Sequence, residues 1–159
     1  MAPQEIFLIL HDIRSMENVG SIFRTADAAG VAKIFLTGYT PAPLDRFGRK
    51  NSKLSKAALG AEGFVSWERA ANVQELLQKL KEQRITCVAL EQHDRSVSFW
   101  KIPRGIPLAL VLGNEVLGVP EEVISVCDMI AEIPMLGKKE SLNVAVSAGV
   151  VLYEMLRPA

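Results

Sequence analysis

The sequence predicts an α/β fold, a mostly parallel sheet between helices. Three observations carry the prediction. Short, continuous apolar runs recur along the chain, as strands buried on both faces require. Stretches with helical periodicity alternate with these runs. The first strand-helix-strand unit fits a parallel pair joined by a crossover.

Residues 5–10 (EIFLIL) make the first buried strand, and residues 11–20 are polar and loop-like. From 19 to 29 the pattern is helical, with Val19, Ile22, Phe23 and Ala26 on one face and Gly30 as the stop. Residues 33–37 (KIFLT) form the second strand. Residues 38–56, with Pro41, Pro43 and Gly48, read as a long loop, with a helical turn at 53–59. A short strand follows at 64–67 (FVSW), then an amphipathic helix at 72–83 with Val73, Leu76, Leu77 and Leu80 facing the core. Residues 85–90 (ITCVAL) are a buried strand and 91–98 a polar loop. Phe99 and Trp100 suit core or interface packing more than base stacking. Residues 107–112 (PLALVL) are a buried strand ending in Gly113-Asn114-Glu115-Val116-Leu117-Gly118. A short helix at 120–127 has Pro at its start and acids in its first turn. The last strand is 129–133 (MIAEI). Residues 144–156 are apolar on nearly every side and read as a buried helix, with Ser141 and Asn143, both capping types, at its mouth.

A length of 159 residues fits one domain, read here as 1–159, with no internal repeat or composition shift. The formal net charge is +0, so no global field points to nucleic acid or membrane, although a local basic patch is compatible with it. Arg46, Arg49, Lys50, Lys53 and Lys56 crowd the long loop, where they suit either solvated surface or phosphate contacts. Cys87 and Cys127 lack CxxC spacing and sit in apolar contexts, as buried free thiols of a reducing compartment do. No zinc spacing or carboxylate cluster suggests a metal. The first residues carry no basic segment, and the longest apolar run, 144–152, is too short to span a bilayer. A cytoplasmic protein without membrane segments is expected.

Three polar clusters stand just after buried strands or at helix starts: Asn18-Val19-Gly20 with Arg24 and Thr25; Gly113-Asn114-Glu115 with Gly118; and Ser141-Leu142-Asn143. Open α/β sheets bind ligands at the carboxyl ends of their strands, and all three clusters fall there. Other chemistries fail on inspection. Gly113 and Gly118 lack the Lys-Ser/Thr of a P-loop, and no GxGxxG, GxSxG or HExxH is present. His11 and His93 are the two histidines, and lone loop histidines are more often solvated than catalytic.

Together the clusters resemble the three motifs of the SpoU-type RNA ribose 2′-O-methyltransferases, within the trefoil-knotted SPOUT superfamily. The first motif is similar to Asn18-Val19-Gly20-Ser21-Ile22-Phe23-Arg24-Thr25-Ala26, and the second to Leu112-Gly113-Asn114-Glu115-Val116-Leu117-Gly118. The third is similar to Ile133-Pro134-Met135-Leu136-Gly137 with Glu140-Ser141-Leu142-Asn143-Val144-Ala145-Val146. The resemblance runs from about Phe7 to Leu156. It implies a C-terminal trefoil knot tied by the last helix, S-adenosylmethionine as methyl donor, and a homodimer whose sites draw on both subunits. It makes Arg24 the catalytic arginine, with Asn18, Glu115, Ser141 and Asn143 completing a polar centre. It places the donor against Leu90, Leu112, Gly113, Ile133, Met135 and Leu142. Two roles for Arg24 stand side by side: taking the hydroxyl proton, or binding a phosphate and steadying the alkoxide while another group takes the proton. With no separate RNA-binding domain expected, RNA contacts fall to Arg14, Arg46, Arg49, Lys50, Lys53 and Lys56. The substrate expected is structured RNA, tRNA before ribosomal RNA. A non-catalytic member binding only RNA or cofactor and a plain nucleotide-binding domain are the other readings.

Overall fold

The computed structural model describes residues 3–158; Met1, Ala2 and Ala159, the ends of the 1–159 span, lie outside them. Seven strands form one sheet: β1 (Ile6–His11), β2 (Lys33–Thr37), β3 (Trp67–Arg69), β4 (Thr86–Leu90), β5 (Val97–Ser98), β6 (Leu108–Leu112) and β7 (Met129–Glu132). Their order is β3-β2-β1-β6-β4-β7-β5, and every pair is parallel. Five helices connect them: α1 (Met16–Ala28), α2 (Ser52–Ala58), α3 (Val73–Glu82), α4 (Glu121–Ile124) and α5 (Val144–Leu156).

The period-two alternation of the strands divides the core in two. Leu8, Leu10, Leu108 and Leu110 point to one face, where Val19, Ile22 and Phe23 of α1 and Ala148, Val151 and Leu152 of α5 cover them. Ile9, Val111, Ala109 and Cys87 point to the other, under Leu76, Leu77 and Leu80 of α3 and Val123 and Ile124 of α4. Burial on both faces explains why the runs are continuously apolar.

Several boundaries differ from the sequence reading. Helix α1 begins at Met16, because the Ser15 hydroxyl accepts the Asn18 amide at 3.1 Å and caps it. Asn18 is therefore in a first helical turn rather than a loop. The Asn51 side chain accepts the Leu54 amide at 3.2 Å, which starts α2 at Ser52 and makes it a full helix. The strand expected at 64–67 begins only at Trp67, because the amides of Phe64 and Val65 bond back to the Ala61 carbonyl at 3.0 Å in a 3-10 turn. The polar loop at 91–98 ends in the two-residue edge strand β5. His11 closes β1, its Nδ1 2.8 Å from Thr37 Oγ1, and so has a structural partner.

Gly20 sets how closely α1 and α2 approach. A Cβ there would lie 2.3 Å from the Leu54 carbonyl oxygen and 2.8 Å from the Ala57 Cβ. Gly20→Ala forces the helices apart and should destabilise the protein by about 1–3 kcal/mol, read as a lower urea midpoint at unchanged slope. The thiols of Cys87 and Cys127 are both pushed up to about 12, chiefly by burial. Their folded values lie above the unfolded ones, so the stability involved is complete below pH 9, the ordinary thiol value, and is lost as pH rises toward 12. Cys87 is buried, whereas Cys127, expected to be buried, is half-buried because it stands in the turn after α4. A disulfide reagent at pH 8 should label Cys87 slowly in native protein and rapidly in urea, and fast native labelling of Cys87 would contradict its burial.

Candidate active site

Because every strand runs the same way, β4, β6 and β7 end together at one edge of the sheet. Two adjoining clefts open there, of about 360 and 280 Å³. They share Leu90, Glu91, Val116, Ser141 and Leu142 in their walls. Leu112, Gly113, Glu115 and Asn143 belong to the larger cleft, and Ile133 and Met135 to the smaller. Six residues expected around a methyl donor, Leu90, Leu112, Gly113, Ile133, Met135 and Leu142, thus line one continuous depression.

A hydrogen-bonded chain joins the three polar clusters at its rim. The Asn143 side-chain oxygen caps α5, accepting the amides of Ala145 at 2.8 Å and Val146 at 3.2 Å. Its amide nitrogen donates to Asn18 Oδ1 at 3.0 Å, and Asn18 Nδ2 donates to Glu115 Oε1 at 3.2 Å. The orientation of both amides is dictated. An ionised carboxylate only accepts, so Asn18 must turn its nitrogen to Glu115, and the cap leaves Asn143 only its nitrogen to offer. Glu115 also accepts the backbone amides of Arg14 at 3.1 Å and Ser15 at 3.0 Å. Burial alone would raise the Glu115 pKa, but these backbone donors and Asn18 together hold it below the ordinary carboxylate value.

The loop carrying Glu115 is held from both sides. Asn114 Oδ1 accepts the amides of Val116 and Leu117 at 2.9 and 2.8 Å, while its nitrogen donates to the Asp12 carbonyl at 3.0 Å and the Tyr39 hydroxyl at 2.9 Å. A Cβ on Gly113 would meet the Gly118 carbonyl carbon at 2.5 Å, and one on Gly118 would meet Glu91 Oε2 at 2.1 Å, so only glycine closes this turn. Glu91 Oε2 accepts the Val119 amide at 2.8 Å and Oε1 the Gln92 amide at 2.9 Å. The Gln92 side chain in turn donates to the Glu140 carbonyl, tying the 133–143 segment to the end of β4. Glu91, Gln92 and Tyr39 are positioning residues that the sequence reading did not single out, and Asn114, read there only as part of the second cluster, acts with them. A single acid in a polar loop carries no pattern; only the contact with Gly118 reveals its purpose.

Of the other expected residues, Arg24 and the basic residues fall outside the cleft linings, and Ser141 falls within them. Arg24 is exposed on α1, outside both cleft linings and six residues beyond Asn18, about 9 Å along the axis. Ser141 is exposed in the wall shared by the clefts. Arg14, Arg46, Lys50, Lys53 and Lys56 are exposed, and Arg49 is ion-paired to Asp45 at 2.7 Å. Among the described residues no group of three or more His, Cys, Asp or Glu is placed to hold a metal, and no helix is long and apolar enough to cross a membrane.

Fold and site together define an α/β protein with a ligand cleft at the carboxyl edge of a parallel sheet, rimmed by a fixed carboxylate and two asparagines. The chain belongs to the SpoU rRNA methylase family, whose model matches residues 5–153. It is 37% identical over 158 residues to the 23S rRNA (guanosine-2′-O-)-methyltransferase RlmB of Neisseria meningitidis, covering 99% of this chain and 60% of that one. The crystal structure of an AdoMet-bound rRNA methyltransferase from Sinorhizobium meliloti superposes with a TM-score of 0.84 at 31% identity, over 98% of this chain and 57% of that one. A TrmH/SpoU tRNA modifying enzyme from A. aeolicus gives 0.84 at 28% identity, over 96% and 74%. The chain spans 57–60% of the length of four curated relatives that it matches.

The depressed pKa of Glu115 has a sign that can be checked. Its folded value is below its unfolded one, so its hydrogen bonds contribute fully above about pH 4.5 and are lost as pH falls through the lowered value. Hydrogen exchange should show the Arg14 and Ser15 amides protected at pH 4.5 and unprotected in stronger acid. In Glu115→Gln the protection should be weaker at every pH and nearly pH-independent; unchanged protection would remove Glu115 as the clamp.

Proposed function

We propose that this chain is the methyl-transfer domain of an S-adenosylmethionine-dependent enzyme that modifies a ribose 2′-hydroxyl in structured RNA, with tRNA favoured. The observation that carries the reading is the Asn143–Asn18–Glu115 chain at the mouth of the paired clefts. The A. aeolicus neighbour, named as a tRNA modifying enzyme, is the one compared above whose length this chain covers most fully, which supports tRNA. The N. meningitidis relative, named for 23S rRNA, supports ribosomal RNA as the second reading.

The clefts suit the cofactor in size and lining. The larger cleft falls in the volume range of small-molecule sites, and the smaller one extends it. Leu90, Leu112, Ile133, Met135 and Leu142 offer apolar walls for an adenine, and Gly113 lets backbone approach it. Bound there, S-adenosylmethionine supplies a methyl group already activated on a sulfonium. What remains for the protein is to place the ribose hydroxyl and to steady charge as its proton leaves. Glu115, ionised and fixed by two backbone amides and Asn18, holds the start of α1 in place and keeps a negative charge at the rim. Ser141 and Asn143 add polar groups to the wall where the hydroxyl enters. The planar fork of donors on Arg24 suits steadying a substrate phosphate or the developing alkoxide.

Arg24 lies outside the cleft of its own chain, which is consistent with a homodimer completing each site. Helix α5 supports this, since Val146, Val150, Tyr153 and Leu156 are 52%, 39%, 53% and 37% exposed along the side away from its core face. Contiguous apolar exposure of this kind marks an interaction surface. The reading includes the C-terminal trefoil knot and a cytoplasmic location. RNA contacts are assigned to Arg14, Arg46, Arg49, Lys50, Lys53 and Lys56.

Arg24→Ala and Arg24→Lys should each slow methyl transfer about 100-fold or more while S-adenosylhomocysteine still binds with wild-type affinity in calorimetry. Near wild-type turnover in either variant would remove Arg24 from the site. Mass-spectrometric mapping of RNA from cells lacking the protein should show one 2′-O-methyl mark missing from tRNA. A mark missing from ribosomal RNA would move the substrate there.

A further inference from the structure

The loop between β2 and α2 is built more tightly than a solvated connection needs. The Asp45 carboxylate accepts the amides of Phe47 at 2.8 Å and Arg49 at 2.9 Å, and it pairs with Arg49 Nε at 2.7 Å. The Asp45 amide donates to the Arg49 carbonyl at 2.9 Å, and Gly48 returns the chain with φ of 75°. An antiparallel bridge between Leu44 and Lys50 closes the base. The result is a rigid hairpin with Phe47 at its tip, 67% exposed. So exposed a ring contributes little to the hairpin's own stability. The guanidinium carbons of Arg46 and Arg49 lie 4.8 and 5.0 Å from its centroid. A cavity of about 400 Å³ against the hairpin is lined in part by Arg46, Arg49, Lys50 and Arg69, four cations against the single carboxylate of Asp45. Arg69 is anchored to the same loop through the carbonyls of Gly38 at 3.1 Å and Thr40 at 2.6 Å.

We infer that Phe47 is a stacking platform for an unpaired base of the RNA substrate, with the neighbouring cavity, in which cations outnumber the one carboxylate, taking the adjoining phosphate. The inference rests on the RNA methyltransferase reading and adds to it a subsite for single-stranded RNA. An exposed aromatic ring beside cations is how proteins hold unpaired bases, since every base has a face to stack. Arg49 is locked to Asp45 and keeps its place beside the ring. Arg46, exposed and lying against the ring, can swing to a phosphate as a base arrives. The hairpin is joined to the cleft through the Tyr39 hydroxyl, which receives a hydrogen bond from Asn114. Phe47 is eight positions along the chain from Tyr39, so their backbones lie at most about 29 Å apart, within reach of nucleotides flanking the target.

The test compares Phe47→Ala, Phe47→Leu and Phe47→Trp by fluorescence anisotropy with a short single-stranded RNA and a duplex of the same sequence. Alanine and leucine should weaken single-strand binding about tenfold, tryptophan should preserve it, and duplex binding should not change. S-adenosylhomocysteine binding should stay at the wild-type level throughout, as a check on folding. Wild-type single-strand affinity in the alanine variant, or in the leucine variant alone, overturns the platform. So does a shift of the alanine variant toward a smaller assembly in light scattering, which would make Phe47 a subunit contact. Wild-type protein that binds single strands through Phe47 but transfers no methyl group would sink the enzymatic reading and leave the platform standing.

Discussion

The structure depends on one constraint, that all its strands run parallel. A parallel sheet cannot be closed by hairpins, so each strand must be followed by a crossover. The crossovers cover both faces with helices and leave all strand ends on one edge. Residues 97 and 125 positions apart, Asn18 with Glu115 and Asn18 with Asn143, meet because their segments all leave or return at that edge. No single segment contains the site. Its parts are brought together by the direction of the strands.

Much of this was legible because burial leaves a mark on composition. Strands covered on both faces must be apolar throughout, and β1, β4 and β6 announce themselves for that reason. Helix α1 was legible from its face of Val19, Ile22, Phe23 and Ala26, and the SpoU resemblance from three short polar motifs in order. The parts that were not legible share a different cause. The starts of α1 and α2 depend on single side-chain caps, Ser15 and Asn51, which compete with equally polar neighbours. The displacement of β3 depends on two amides captured by Ala61, a local choice with no pattern in residue type. Glu91 is invisible in sequence because its partners, Gly118 and Val119, lie 27 and 28 residues away.

Helix α5 shows how one element answers two demands. Its Ala148, Val151, Leu152 and Met155 complete the core against the sheet, while its opposite side keeps apolar residues in solvent. A helix with one buried face would be polar on the other. Sequence hydropathy alone could not separate deep burial from a second apolar face; the exposures do. The cap of the same helix is Asn143, so the side chain that stops α5 from fraying also orients Asn18. Loss of that residue would loosen the helix and the rim of the cleft in one step.

The close approach at Gly20 has a geometric consequence. Helix α1 carries Asn18 and Arg24, and α2 carries Lys53 and Lys56. With the helices packed this closely, Arg24, Lys53 and Lys56 are carried on two elements whose spacing from the asparagine at the cleft rim is set by the contact at Gly20. A larger residue at position 20 would change that spacing without altering any charge on either helix. The smallest side chain in the protein thus acts as its gauge block, setting the distance at which the two helices stand.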